Sequence, residues 1–588
     1  MDAQIINKKE IIINDKKIQE KKSDKLSNIR LITFVGALVF DILALILKEL
    51  EIAFAIIGSI LLVSFIILVI IHKKVTNKIK KYDNYLTIIK EYEDRTNDNW
   101  KNFKETGIEF LDINKDLFYD LDIVGNNSLF QLINVAKSIG GKRNLANEFN
   151  KLNLTEKEIL NRQNTVKELT ENFDFNIDFQ ECLLSYKHVE QNDFSKLTKK
   201  LNVNKSSNLF SFILNVLFSL ISITTLILSL TNVIDVSIFL IFFLFNFFFS
   251  YIVIIVNKQD YNPISDCSRK LSNLKPLFDL VNNSSFNSEE LIKLQKDINE
   301  GKESVDKLAH LSSLDSLRVN FVSNFIINGL FPLNSLILSK YKKVITDESV
   351  SKIDLSINAI EQLEMLLSLT TIKLIKDNSV TPIFTNNTKI EVKDIKHPML
   401  NENICVPNDF ISNDDINIIT GSNMSGKSSF MKTIAVNLIL ANCGSNVCAT
   451  SFTFTFLRMF TSIKVSDDIN KNISTFYGEL LRIKNIIDYS KEITYPMIVF
   501  IDEIFKGTNY NDRIFGAKEI IKLLSTLNCT VIISTHDFEL CQIENKSIYN
   551  YHFEERYENG NIVFDYKLLK GQCKTTNARY LMNSIGLI

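Results

Sequence analysis

The sequence predicts a C-terminal α/β domain, an α-helical region ahead of it and four transmembrane helices in two hairpins. Three observations lead there. Apolar stretches of near-spanning length come in closely spaced pairs. Polar segments with apolar residues at helical spacing separate them. After Asp377 the texture changes to Pro382 and β-branched runs. The expected order is a basic N-terminal tail over 1–30, a first hairpin over 31–71, a helical segment over 72–208, a second hairpin over 209–256, a helical lever segment over 257–390 and the α/β domain over 391–588.

With Lys+Arg 67 against Asp+Glu 68 the chain has no global basic field, so any nucleic-acid contact must come from local patches. The cysteines at 182, 267, 405, 443, 448, 529, 541 and 573 form no CxxC pair, which argues against a zinc site or a disulfide framework and for a reduced compartment.

Leu31 to Leu47 and Ile52 to Ile71 are each close to the ~20 residues a helix needs to cross the hydrocarbon layer. The short link Lys48-Glu49-Leu50-Glu51 forces the second span to return antiparallel to the first, and the pattern repeats at Leu209 to Leu230 and Ser237 to Val256. Buried core helices of a soluble protein are the competing reading, but Ser237 to Val256 is uncharged and nearly continuous Phe, Ile, Leu and Val. Lys16, Lys17, Lys21, Lys22, Lys25 and Arg30 before the first span, with Lys73, Lys74, Lys78, Lys80 and Lys81 after the second, place both termini and the α/β domain on the cytoplasmic side of the cell membrane. Asp41, Asn215 and Asn246 fall inside spans and are read as interhelical hydrogen-bonding residues or as ambiguities of register, ahead of a functional site.

The soluble helical segments show apolar residues on one face, as at Leu129, Leu132, Ile133 and Ala136, and at Ile360, Leu363, Leu366, Leu367 and Leu369. The chemistry lies further on. Ile416 to Thr420 reads as a strand, and Gly421-Ser422-Asn423-Met424-Ser425-Gly426-Lys427-Ser428-Ser429 then opens a helical stretch to Leu440. Strand, glycine loop and helix in this order make a P-loop: backbone N–H groups wrap phosphates, the helix N-terminus adds a positive dipole end, Lys427 reaches the β and γ phosphates of ATP, and Ser428 ligates Mg²⁺. A second strand, Met497 to Ile501, ends in Asp502, expected on the Mg²⁺ side, and Glu503, placed to orient or deprotonate the attacking water. A third, Thr530 to Ser534, delivers His536 to the carboxyl edge of the sheet as a γ-phosphate sensor.

These residues stand in a longer series: Lys396-His397-Pro398, Val406-Pro407-Asn408-Asp409, the loop 420–429, Asp502 to Thr508 and Ser534 to Leu540. The series resembles the ordered motifs of MutS-family ATPases, strongly over 392–588 and weakly over 110–375, where Leu121-Asp122-Ile123, Ser128 to Leu132, Gly140 to Arg143 and Arg162-Gln163 are similar to the family's core. Asp467-Asp468-Ile469 and Ser474-Thr475-Phe476 are similar to the segment that completes the partner subunit's site, which implies a homodimer with Ser474 facing the other subunit's γ-phosphate. Ser422 stands where the family usually has Pro, Phe505-Lys506 where it has Gly-Arg, and Lys471-Asn472 where a glycine-rich turn precedes the Ser-Thr pair. No Phe-X-Glu mismatch-reading wedge in an N-terminal reader domain can be placed, because the first hairpin occupies that region.

The expectation is an ATP-driven, dimeric conformational switch tethered to the membrane. DNA is left open as its partner: Lys196, Lys199, Lys200, Lys205, Lys342 and Lys343 are candidate contacts, although such runs more often face solvent or flank a membrane. The alternatives are an ABC-like membrane ATPase acting on a membrane or protein partner without DNA, against which stands the lack of a Leu-Ser-Gly-Gly-Gln signature, and a membrane scaffold that uses ATP only to dimerise.

Overall fold

The structure is a computed structural model, and it describes residues 3–151, 155–185, 209–319, 321–387, 390–413, 415–422, 424–464, 475–492, 496–505, 508–543, 545, 547–558 and 561–573. The chain divides into two compact units, Met1–Trp100 with Phe173–Ser185, and Lys101–Asn172 with Tyr186–Ile588.

The first unit is a long antiparallel helical hairpin, α1 (Ala3–Ile46) and α2 (Glu51–Thr96). Residues 3–30, expected as a tail, continue the first apolar stretch as one helix. Their charged groups find partners across the hairpin, Lys9 with Glu93 at 2.6 Å and Lys16 with Asp83 at 2.7 Å. Ile5 and Ile12, one heptad apart, are buried. Further along, Phe34 meets Phe65 and Phe40 meets Phe54, while Gly58 leaves room for Asp41, whose carboxylate would overlap any Cβ there. Most outward-facing side chains of this half are apolar and exposed, among them Leu31, Ile32, Ile52 and Ile60. At the polar end a short helix packs across the hairpin. Its Phe173 meets Tyr92 edge to face, its Gln180 donates to the Tyr92 hydroxyl at 3.0 Å, and Tyr85 donates to its Asp178.

In the second unit the chain runs through α3 (Lys115–Asp120), α4 (Leu129–Ile133), α5 (Ile139–Glu148) and α6 (Glu156–Glu171), the short helix of the first unit being α7 (Phe173–Leu184). Ser128, Ser138 and Thr155 each cap the helix that follows them. Two apolar helices, α8 (Leu209–Leu230) and α9 (Val236–Val256), form the second hairpin. Among the described residues, α1, α2, α8 and α9 are four helices long and apolar enough to cross a membrane. After them come α10 (Lys258–Asn283), α11 (Glu289–Val319), α12 (Phe321–Leu330), α13 (Leu333–Val344), α14 (Asp347–Leu369) and α15 (Thr371–Ile375). Asn215 and Asn246 make interhelical hydrogen bonds: Asn215 donates to Ser335 at 2.6 Å, and Asn246 donates to Ser219 at 3.1 Å.

α14 is the spine of the helical body. Gly140 and Gly141 let it approach α5 so closely that a Cβ at either would meet Glu361 or Glu364. The buried Glu364 carboxylate accepts from the backbone N–H of Lys137 at 2.7 Å and of Ser138 at 3.0 Å, and from the Ser138 hydroxyl. Burial holds its carboxyl above the usual range against those donors. Glu364→Ala strands the two N–H groups, at about 1–3 kcal/mol each. The expected result is a clear fall in the urea midpoint of the detergent-held protein; an unchanged midpoint would remove this joint from the stability of the body.

The rest is α/β. A six-stranded sheet has the order β10-β9-β4-β8-β7-β6, from β4 (Ile416–Thr420), β6 (Arg458–Ser462), β7 (Met497–Asp502), β8 (Cys529–Thr535), β9 (Ile548–Glu558) and β10 (Asn561–Lys570). Its pairs are parallel except β9 with β10. The central strands β4 and β8 are buried at every position, as expected of strands covered on both faces. A smaller sheet of order β1-β5-β2-β3 holds β1 (Ile383–Phe384), β2 (Ile390–Ile395), β3 (Asn408–Ser412) and β5 (Ser451–Phe454). Helices α16 (Lys427–Asn442), α17 (Thr475–Glu492) and α18 (Tyr510–Leu524) connect the strands.

Candidate functional site

The order β7-β8-β4 sets the carboxyl ends of three parallel strands side by side, and the polar residues singled out in the sequence gather there. β4 ends at Thr420, and the chain turns at Gly421 with φ +148°. A Cβ at Gly421 would lie 2.9 Å from the Phe553 carbonyl oxygen, so only glycine fits this turn. Gly426, at φ +105°, then begins α16. Lys427 is buried in the first turn, and its ammonium donates to the carbonyls of Gly421 at 3.0 Å and Ser422 at 2.8 Å. The Ser425 hydroxyl is buried with no partner among the described residues, whereas Met424 is exposed at φ +69°. Asn423 lies outside the described residues, as do Ser474, Asp467 to Ile469 and Lys506.

Ser428 donates to both oxygens of Asp502, at 2.9 and 2.8 Å, and Ser534 on β8 donates to the same carboxylate. Glu503 follows in the left-handed region at φ +55°, its N–H given to the Ser534 carbonyl at 3.0 Å. His536 Nε2 lies 3.0 Å from Glu503 Oε1 and 3.4 Å from Lys427 Nζ. One ring nitrogen cannot serve both: protonated, it donates to Glu503, and Lys427 keeps its carbonyl partners. Arg513 on α18 grips Asp537 through two bonds of 2.9 and 2.8 Å, fixing the loop that carries His536.

Gly421, Ser422, Ser425, Gly426, Lys427, Ser428, Asp502, Glu503 and His536 are therefore brought together, with Met424 and Ser429 lining the mouth of the same cleft. The cleft has a volume of about 550 Å³. Its lining is also apolar and aromatic, from Ile395, Leu400, Ile404, Val406, Phe553 and Tyr566, together with His397. The Met399 N–H donates to His397 Nδ1 at 3.2 Å, and burial lowers this histidine to about 4, so it is neutral with its proton on Nε2.

The sequence reading missed the contribution of β9 and β10. Tyr551, Phe553 and Glu555 alternate along β9 and are all buried, and Glu555 accepts from Ser422 at 2.9 Å. Ser422 thus has a buried carboxylate partner that a proline could not use. The period-two alternation was the available signal, but nothing in it pointed to the glycine loop.

A second cluster joins the helical segment to this domain. Asp122, just after α3, pairs with Lys432 on α16 at 2.7 Å and with Lys464 at 2.5 Å. These lysines hold its carboxyl low against the opposing effect of burial. The buried Asp120 accepts from the N–H groups of Ile463 and Lys464 and from Arg482 on α17 at 2.8 Å. The segment 115–122 thereby grips the chain on both sides of residues 465–474.

These features define a helix-rich protein with mixed α/β sheets, whose polar cluster lies at the carboxyl edge of the larger sheet, with four apolar helices of spanning length among the described residues. The model of MutS domain V matches residues 417–583. The DNA mismatch repair protein MutS of Clostridioides difficile (strain 630) is 32% identical over 234 residues, covering 38% of this chain and 24% of its own length. The protein of that name from Bacillus mycoides (strain KBAB4) is 32% identical over 270 residues, covering 42% of this chain and 30% of its own. For that of Clostridium kluyveri (strain NBRC 12016) the figures are 32% over 239 residues, 38% and 27%. The C-terminal domain of the chain is of the MutS family by this match, and the chain spans less than a third of the length of these relatives.

Proposed function

We propose that the chain is a membrane-anchored ATPase that works as a dimeric conformational switch, with its α/β domain on the cytoplasmic face. The observation that carries this reading is the juxtaposition of Lys427, Ser428 with Asp502, and Glu503 with His536 at one sheet edge. The orphaned Ser425 hydroxyl and the turn at Gly421, which no side chain could occupy, suit a loop that wraps phosphates. The apolar and aromatic lining of the cleft, with Phe553 and Tyr566, suits a planar base.

In this reading Lys427 leaves the loop carbonyls to pair with the β and γ phosphates, and the N-terminal N–H groups of α16 donate to the same oxygens. Ser428 and Asp502 are the groups that would hold Mg²⁺, which when bound neutralises charge developing on the phosphates. Glu503 accepts the proton of the attacking water, and His536, fixed by the Arg513–Asp537 pair, orients Glu503 and the terminal phosphate. Ser474 of the facing subunit completes the site. Closure pulls on α16, and Lys432 and Asp122 pass the movement to the helical body.

DNA as the partner rests on the relatives' names. Steady-state ATP hydrolysis by the purified, detergent-held protein, with and without plain, branched and mismatched duplexes at low and moderate salt, tests both halves. Stimulation by DNA that falls with salt supports a tethered DNA clamp. DNA-indifferent turnover assigns the switch to a membrane or protein partner, and absence of turnover at any condition sinks the ATPase reading.

A further inference from the structure

α12 and α13 meet at Phe331–Pro332 with a bend of 91°, and they pack against the second apolar hairpin. We propose that residues 321–344 form a re-entrant helix pair that dips to the middle of the membrane and returns to the side it came from, its outer face covered by lipid acyl chains. The proposal rests on α8 and α9 spanning the membrane, as proposed above.

The depth follows from partners. At the break, the Gly329 carbonyl accepts from Ser222 on α8 at 2.8 Å and from Asn246 on α9 at 3.0 Å. Asn328 Oδ1 accepts from Ser250 at 2.8 Å and from the Asn334 N–H at 3.0 Å. Asn246 is ten residues from the end of α9 at Val256, so the break lies about 15 Å in, half of a hydrocarbon core of about 30 Å. α12 has 10 residues, about 15 Å of helix, which is the length needed to reach that level. Broken backbone is tolerated at such depth only where protein groups satisfy it, and here the Gly329 carbonyl and the Asn334 N–H both have such partners. Gly329 has no Cβ because the Phe243 ring fills that space.

The return follows from the flanks. α11 enters the segment and α14 leaves it, and the two pack together: Ser356 on α14 accepts from the Gly301 N–H at 3.0 Å and donates to the Asp297 and Ile298 carbonyls. Near the end of α9, Tyr261 meets both Arg318, 4.6 Å from its ring, and Tyr341, at 6.2 Å. Entry and exit are therefore at one level, which a full span cannot achieve. Lys340, Lys342 and Lys343 follow as the positive flank of a cytoplasmic interface.

The covering follows from continuity. Phe321, Val322, Ile326 and Phe331 are 73%, 63%, 51% and 52% exposed, and they extend the exposed apolar surface of α9, including Phe245 and Phe248.

The chain has one tryptophan, the buried Trp100, so a Trp100→Phe background can carry single reporters at exposed phenylalanines. Phe331→Trp, Phe321→Trp, Phe245→Trp as the hairpin control and Phe515→Trp on α18 as the aqueous control are reconstituted in phosphatidylcholine vesicles brominated near the headgroup or near the chain end. The expected result is that Phe331→Trp loses as much emission as Phe245→Trp, more to deep bromine than to shallow, while Phe321→Trp favours shallow bromine and Phe515→Trp loses none. Quenched Phe245→Trp with unquenched Phe331→Trp overturns the re-entrant pair and leaves the hairpin in the membrane. If neither is quenched, the membrane reading itself falls, and the pair with it.

Discussion

Glu503→Gln is expected to lower steady-state ATP turnover by about 100- to 1000-fold while ATP still binds with near-normal affinity. Asp502 is taken up by the Ser428 and Ser534 hydroxyls, whereas the Glu503 carboxylate pairs with His536 and is the group proposed to take the proton. Its backbone is at φ +55° and tied to Ser534, and its Oε1 lies 3.0 Å from His536 Nε2. Glutamine keeps the size and the hydrogen bond to the ring but cannot accept a proton. In a dimer that closes on ATP and reopens on hydrolysis, the variant should also accumulate as the closed, nucleotide-loaded form, visible as a stable ATP-dependent shift in size-exclusion elution. Turnover within a few-fold of the parent would remove Glu503 from the base role.

How much of this was readable beforehand depended on how local the signal was. The turn at Gly421, the buried lysine at the head of α16 and the carboxylates closing β7 are set by residues adjacent in sequence, so strand, loop and helix could be placed from their order. The helices α8 and α9 were legible for the same reason: a long apolar run carries its own evidence of length. Glu555 and Phe553 were not, because β9 pairs with β4, more than a hundred residues before it, and Tyr566 comes with them on β10, the edge strand beside β9; alternation gives a face without saying what the face meets. The segment 321–344 escaped for a different reason. Pro332 cuts it into pieces of 10 and 12 residues, each too short to span, and its Asn and Ser residues read as surface until their partners on α8 and α9 are known. The basic N-terminal stretch was read by charge alone, although the heptad of Ile5 and Ile12 already favoured a helix.

Lys427→Ala should weaken ATP binding by roughly 10- to 100-fold, the equivalent of losing a charge-assisted hydrogen bond of about 1.5–3 kcal/mol. The ammonium is buried, and its bonds at 3.0 and 2.8 Å to the Gly421 and Ser422 carbonyls brace the loop; the proposed function gives it a second job, meeting phosphate. The two jobs separate under measurement. Bracing acts without nucleotide, so its loss lowers the thermal midpoint of the free protein. Phosphate binding acts only with nucleotide, so its loss shrinks the rise in midpoint that ATP produces, which scales with ligand concentration over Kd. The expected pattern is a small drop in the free midpoint and a largely abolished ATP-induced rise. A large drop with the rise intact would make Lys427 a staple of the loop and pass the phosphate contact to the N–H groups of α16 and the Ser425 hydroxyl, whose lack of a partner among the described residues leaves it ready to donate.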